Sequence, residues 1–296
     1  MLKTFISLLF IGLINLSLFP QNVAPLHPVW VNGKFGFVDG KGKLLIQGKY
    51  SLTGNCSEGL CPVAIGDNPL SAKWGYIDYT GKTVIAAQYV GAGEFSEGLA
   101  SVNVGGKTGY IDKTGKMVIT PQFQVAYAFR EGLAAVQLKN MMGLIDKTGK
   151  WVIEPKYREV TSCGDGLIGV WPDMKSKWSF IDKTGKTVLP AKYERVHPFS
   201  GGLAPVRMED MWGYIDKTGK YIIEPAYTSA REFNEGFACI EIDYANWGFI
   251  DKTGKLVVPA TFDRDGRFWN GLAWMEQGQT LGLINPKGEW VWKGNR

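Results

Sequence analysis

One short stretch recurs through this chain at a nearly constant interval, and an interval of that size restricts the fold to a repeat array. It is written most plainly as Trp212-Gly213-Tyr214-Ile215-Asp216-Lys217-Thr218-Gly219-Lys220. It returns as Trp247-Gly248-Phe249-Ile250-Asp251-Lys252-Thr253-Gly254-Lys255, with changed copies at 107–116, 142–150 and 178–186. Weaker copies occupy 35–43, 74–82 and 281–289. Aligned on one position, the eight copies fall at Gly36, Gly75, Gly109, Gly143, Ser179, Gly213, Gly248 and Gly282. The steps between them are 39, 34, 34, 36, 34, 35 and 34 residues.

Each copy reads as a β-hairpin. Tyr214-Ile215 and Tyr221-Ile222-Ile223 flank the connector with aromatic and β-branched residues, which suit a pleated, half-buried surface. The connector itself is turn chemistry: Asp bonds the backbone two residues on, and Gly takes the positive φ that closes a type I turn with a bulge. Asp-Lys-Thr-Gly stands unchanged at Asp112 to Gly115, Asp146 to Gly149, Asp182 to Gly185, Asp216 to Gly219 and Asp251 to Gly254. Those ten residues are read as structural turn positions, because a calcium loop needs several oxygens converging on one ion and here a lone Asp is followed by Lys. A second strand type precedes each copy, as in 132–138, and a third follows the turn. Pro121, Pro155, Pro190, Pro225 and Pro259 are expected to end that third strand by removing a ladder donor. The aromatics recurring in the linkers, such as Phe95, Phe129 and Phe233, are expected in the core between stacked units.

Residues carrying Trp-Gly-Tyr-Ile-Asp at 74–78 and 212–216, with the Glu-Gly-Leu-Ala segments at 97–100 and 131–134, resemble the bacterial WG-repeat (KWG) family. The resemblance covers nearly all of the chain beyond residue 25. Phe35, Thr108, Met142 and Leu281 replace its Trp, and Ser179 its Gly. It implies an all-β repeat module of the kind found in exported or surface-associated bacterial proteins, and it supplies no catalytic residues. The expected fold is therefore all-β, an array of about eight three-stranded β-meander repeats of ~35 residues. A propeller-like ring is favoured over an open β-solenoid or superhelix.

Residues 1–25 stand apart from the 26–296 array. Lys3 and the apolar run from Phe5 to Phe19 have the layout of a signal peptide, with an uncleaved anchor as the alternative. Export to the periplasm, the cell surface or the medium is expected, with membrane contact only through this segment. The formal net charge of +5 comes substantially from the turns, since each Asp-Lys-Thr-Gly-Lys brings two Lys to one Asp. A rim of solvated Lys is the plainer reading of that charge, and attraction to an acidic polymer the sharper one.

Of four cysteines, Cys56 and Cys61 lie close enough to form a disulfide across one loop. No metal-ligand spacing, nucleophile elbow or phosphate loop appears, so neither metal, cofactor nor nucleic acid is expected, and no catalytic residue is assigned. The irregular loops carry the off-phase aromatics Trp171 and Trp269, candidates for a stacking platform for a sugar or peptide, whereas Trp274 reads as core. The chain is thus expected to be a non-enzymatic exported scaffold for a protein or envelope polymer. A carbohydrate-binding module is the alternative, and an envelope hydrolase is less favoured.

Overall fold

A computed structural model describes residues 25–295. Only Pro25 of the leader segment read from the sequence falls among them. The described chain forms eight antiparallel sheets in sequence order. Each is a blade, and the blades close into a ring, an eight-bladed β-propeller. Blade 1 spans 27–50 with three described strands, and blades 2 to 8 have four strands each. Blades 2 to 7 begin at residues 52, 91, 125, 159, 195 and 229, and blade 8 at 268.

The fourth strand is one more than the sequence pattern offered. It is two residues long, as in Val125–Ala126, and pairs with the strand read as first in the repeat. So short a segment has no alternation to detect. Its backbone continues along the second strand through Tyr127 N→Ala135 O (3.0 Å) to Arg130 N→Leu133 O (2.8 Å). This irregular strand is the innermost of its blade.

The Asp-Lys-Thr-Gly hairpin has the geometry that its residue types dictate. Gly219 N donates to Asp216 O at 2.9 Å and has φ +84°, closing a type I turn with a bulge. The Asp216 carboxylate accepts from Thr218 N (2.8 Å), Thr218 Oγ1 (2.6 Å) and Lys220 N (3.1 Å). The Thr hydroxyl bond, with the backbone donors and nearby Lys220, holds this carboxyl below the usual range.

The prolines do not end the outer strand. Tyr221–Tyr227 runs straight through Pro225, because the register shifts between Trp212 and Tyr214 make a bulge there. On the outermost strand a missing donor costs no ladder bond. The bulge brings that backbone close over the third strand. A Cβ built on Gly213 would lie 2.7 Å from both Ile223 O and Pro225 N. Gly213→Ala is expected to destabilise by about 1–3 kcal/mol, since backbone must move to admit it. A denaturant midpoint equal to wild type would overturn this reading. Blade 5 carries Ser179 at the same position, so its strands already accommodate a Cβ.

The core lies between blades. Third-strand rings meet the linker Phe of the next blade: Tyr76–Phe95 (4.9 Å), Tyr110–Phe129 (4.8 Å), Phe180–Phe199 (4.9 Å), Tyr214–Phe233 (5.0 Å) and Phe249–Phe268 (4.6 Å). Three of the tyrosines also donate across the junction, as Tyr110 Oη does to Tyr127 O at 2.7 Å. Cys56 and Cys163 take the Phe place in blades 2 and 5. Cys56 is joined to Cys61 across its loop, while Cys163 and Cys239 are buried free thiols. Burial pushes both of those thiols up to about 12.

Ring closure joins blade 8 to blade 1 through side chains. Val29, Val38, Leu272 and Leu283 form one buried cluster, with Trp274 and Trp292 packed on it. Trp274 Nε1 donates to Pro28 O (2.9 Å), and its ring meets Trp292 edge-on at 5.8 Å. The packing role read for Trp274 from its strand position matches this placement.

Candidate functional site

Each inner strand runs from one face of the ring to the other. At its far end lie the Asp-Lys-Thr-Gly turns together with the Ser/Arg/Asn-Glu-Gly turns. The latter are type I′ hairpins, with φ +54° at Glu97 and +86° at Gly98. On this face the blades are clamped in succession. Glu97 accepts from Gly132 N of the next blade at 3.0 Å and pairs with Lys147 Nζ at 3.0 Å. Glu58 does the same with Gly98 and Lys113, and Glu131 with Gly166 and Lys183. The first Lys of these turns therefore ties neighbouring blades together. The second, as in Lys116, Lys150, Lys186, Lys220 and Lys255, is exposed at the start of the outer strand. There it accompanies exposed Val118, Val152, Val188, Ile222 and Leu256 and blunts the sheet edge.

One junction departs from this pattern. Gly201 stands where blades 2 to 5 and 7 carry Glu or Asp and blade 8 carries Asn270, and Lys252 Nζ donates to its carbonyl at 2.7 Å. Its φ of +62° is close to that of the clamping glutamates. Gly201→Glu is expected to raise the melting temperature by a few degrees, equivalent to about 1 kcal/mol for a partly screened ion pair with an added hydrogen bond. An unchanged or lowered melt would show that Lys252 cannot leave its present seat.

Two cavities mark the ends of the ring. The smaller, about 260 Å³, collects Ser57, Ser96, Arg130, Ser200, Asn234 and Trp269 from six different blades, a set that can meet only near the axis. Here Arg267 lies over the Trp269 ring (5.2 Å) and 3.8 Å from Glu232. Trp269 Nε1 donates to Cys56 O of blade 2 at 2.9 Å. That indole spans blade 1 and braces the closure.

The larger cavity, about 700 Å³, is a groove over blades 5 to 7 at the opposite face. The first residues of three inner strands enter it, beside the ends of the second strands and the starts of the third. Trp171 and Trp178 lie nearly parallel (10°) with centroids 6.3 Å apart. Trp171 Nε1 donates to Ser176 O at 2.8 Å, which fixes the ring's orientation. His197 stacks on Trp212 at 4.9 Å, and burial lowers its pKa below the ordinary imidazole value, leaving it neutral at pH 7. Arg207 pairs with Asp210, and Arg231 with Asp265 at 2.8 Å.

Trp171 and Trp269, read together as one possible platform, stand at opposite mouths. Trp171 lines the groove, and Trp269 is held at the axial end. The groove's Glu159, Arg195 and Arg231 belong to no recurring motif of the sequence. The eight-residue offset from inner to second strand, constant in blades 2 to 5, was the available signal.

The family model described as "WG containing repeat" matches seven consecutive stretches: 35–68, 74–107, 109–141, 142–170, 178–212, 212–244 and 247–280. The chain belongs to the WG-repeat family. Among curated proteins none matches the chain in sequence. In shape the WG-repeat ring is similar to BamB from Moraxella catarrhalis, with a TM-score of 0.54 and 11% identity over 88% of this chain and 90% of that one. It is similar also to a eukaryotic initiation factor, with a TM-score of 0.53 and 13% identity over 94% and 90% of the two chains. The uncharacterized protein lmo1340 from Listeria monocytogenes EGD-e follows, with a TM-score of 0.53 and 10% identity over 81% and 91%. At these identities the likenesses bear on the fold alone.

Proposed function

We propose that this WG-repeat propeller is an exported, non-enzymatic scaffold that works by binding a protein or a cell-envelope component. The observation that carries the reading is the groove over blades 5 to 7. Its Trp and Arg side chains are the types that dominate binding hot spots, and they sit on a clamped, rigid ring. Three of its five charged groups are engaged by residues beside the groove, through Arg207–Asp210, Arg231–Asp265 and Glu194–Lys177 (3.9 Å). That arrangement suits recognition better than proton transfer. Its neutral His197 packs on the Trp212 ring at 4.9 Å. The leader-like segment at 1–25 supports the export reading.

The test is capture from envelope extract by the exported protein carrying a photo-crosslinker at Ser229, at low and high salt. A discrete adduct is expected, with its yield falling at least tenfold in a Trp171→Ala/Arg195→Glu double variant that melts like wild type. An undiminished adduct in the double variant would sink the groove as the binding surface.

A further inference from the structure

We infer that the groove over blades 5 to 7 takes a neutral oligosaccharide segment; this rests on the groove being the binding surface proposed above. In blade 5 the inner strand sets Glu159 directly opposite Trp171. Residues so paired in an antiparallel ladder have Cβ atoms about 4.5–5.5 Å apart on one side of the sheet. A carboxylate therefore stands beside an indole whose plane is fixed by its N–H bond to Ser176 O. In blade 6 the same register sets Arg195 opposite Arg207. The equivalent pairs in blades 2, 3 and 4 are Leu52 with Ala64, Gly91 with Asn103 and Val125 with Gln137. Among blades 2 to 6, blades 5 and 6 are the ones that place an aromatic face, an acceptor and guanidinium donors at this level, and blade 7 continues the surface with Ser229 opposite Glu241 and Arg231 over the Trp247 ring (5.5 Å).

Charge decides between ligand classes. Arg207 and Arg231 are neutralised by Asp210 and Asp265, which leaves Glu159 and Arg195, one of each sign, both exposed on neighbouring blades. Such a lining offers donors and acceptors without a net field. A polyanion would meet the Glu159 carboxylate, and an apolar ligand would bury Glu159 and Arg195 without hydrogen-bond partners. A pyranose answers both needs. Its axial C–H face lies on Trp171, and its hydroxyls donate to Glu159 and accept from Arg195 and the hydroxyl of Ser229. A cavity of about 700 Å³ lies within the range of small-ligand pockets, room for roughly two or three such rings.

The experiment is titration of the folded protein with cellotriose, chitotriose, maltotriose and, as a polyanion, dextran sulfate, followed by intrinsic fluorescence and calorimetry. Saturable binding of at least one neutral trisaccharide is expected, changing less than twofold between 50 and 500 mM salt, values on either side of the physiological screening range. Trp171→Ala and Glu159→Gln should each weaken it at least tenfold, while Trp269→Phe at the other mouth leaves it unchanged. Glu159 is exposed, so its variant keeps the test valid if Trp171→Ala fails to fold. Binding of dextran sulfate alone, no binding of any trisaccharide, or binding indifferent to Glu159→Gln would each overturn the inference. If crosslinking in extract still depends on the groove, the scaffold reading survives that failure; if the groove variants alter neither, both fall.

Discussion

Phe129→Ala is expected to be among the most damaging single changes in this ring, at about 3–5 kcal/mol. The side chain is fully buried between blades 3 and 4, its ring 4.8 Å from Tyr110. Its removal leaves a cavity bounded by Tyr110, Ile119, Val136 and Ile145, all held on paired strands that cannot close in. The Tyr110 Oη bond to Tyr127 O keeps the facing ring in place, which further limits collapse. Thermal unfolding should shift down by on the order of 10 °C, given ~2–4 °C per kcal/mol for chains near this size. Phe129→Leu should cost about half as much. A shift of less than roughly 2 °C for the alanine variant would mean that the aromatic junctions do not govern stability.

The second large effect is expected at the seam. Trp274→Ala removes the N–H bond to Pro28 O, the edge contact with Trp292 and much of the cover of the Val29–Leu283 cluster. The loss should be about 2–4 kcal/mol, below the full range for large aromatics because the ring is half-buried. What separates it from Phe129→Ala is where the damage appears. Amide exchange should quicken by orders of magnitude in residues 27–31 and 290–293, while blades 3 to 6 keep their protection. Uniform loss of protection around the ring would contradict the assignment of Trp274 to closure. Trp269→Phe should be milder, about 0.5–1.5 kcal/mol, since it deletes one hydrogen bond and keeps a ring.

Much of this architecture was legible because its signals repeat. The period, the Asp-Lys-Thr-Gly hairpin and the interblade phenylalanines each follow from residue types at one phase, and eight nearly equal units agree with the closed ring. What escaped reading did so for physical reasons. Val125–Ala126 is too short to alternate, so the inner strand looked like linker. Glu97-Gly98 carries the family resemblance without showing its geometry, in which Glu in a left-handed conformation before Gly makes a two-residue hairpin turn and frees its carboxylate for the next blade. Pro225 looked like a terminator because a bulge on an outermost strand leaves no mark in sequence. Trp171 and Trp269 seemed equivalent because both are off-phase. One ends a second strand and the other an inner strand, and those ends lie on opposite faces.

Among the described residues the ring closes without a shared β-ladder, and this has a kinetic consequence. Every described strand pairs only with its neighbours in sequence, and no described sheet combines strands from the two ends of the chain. Contacts of short sequence separation form quickly, and in a stacked array folding can start in any blade and spread to the next. Joining blade 8 to blade 1 brings together residues about 246 positions apart, as at Trp274 and Pro28, and the entropy of that step rises only with the logarithm of loop length. Folding should therefore show a fast phase that builds an open arc and a slower one that shuts it. The slow phase alone should respond to substitutions at Trp274.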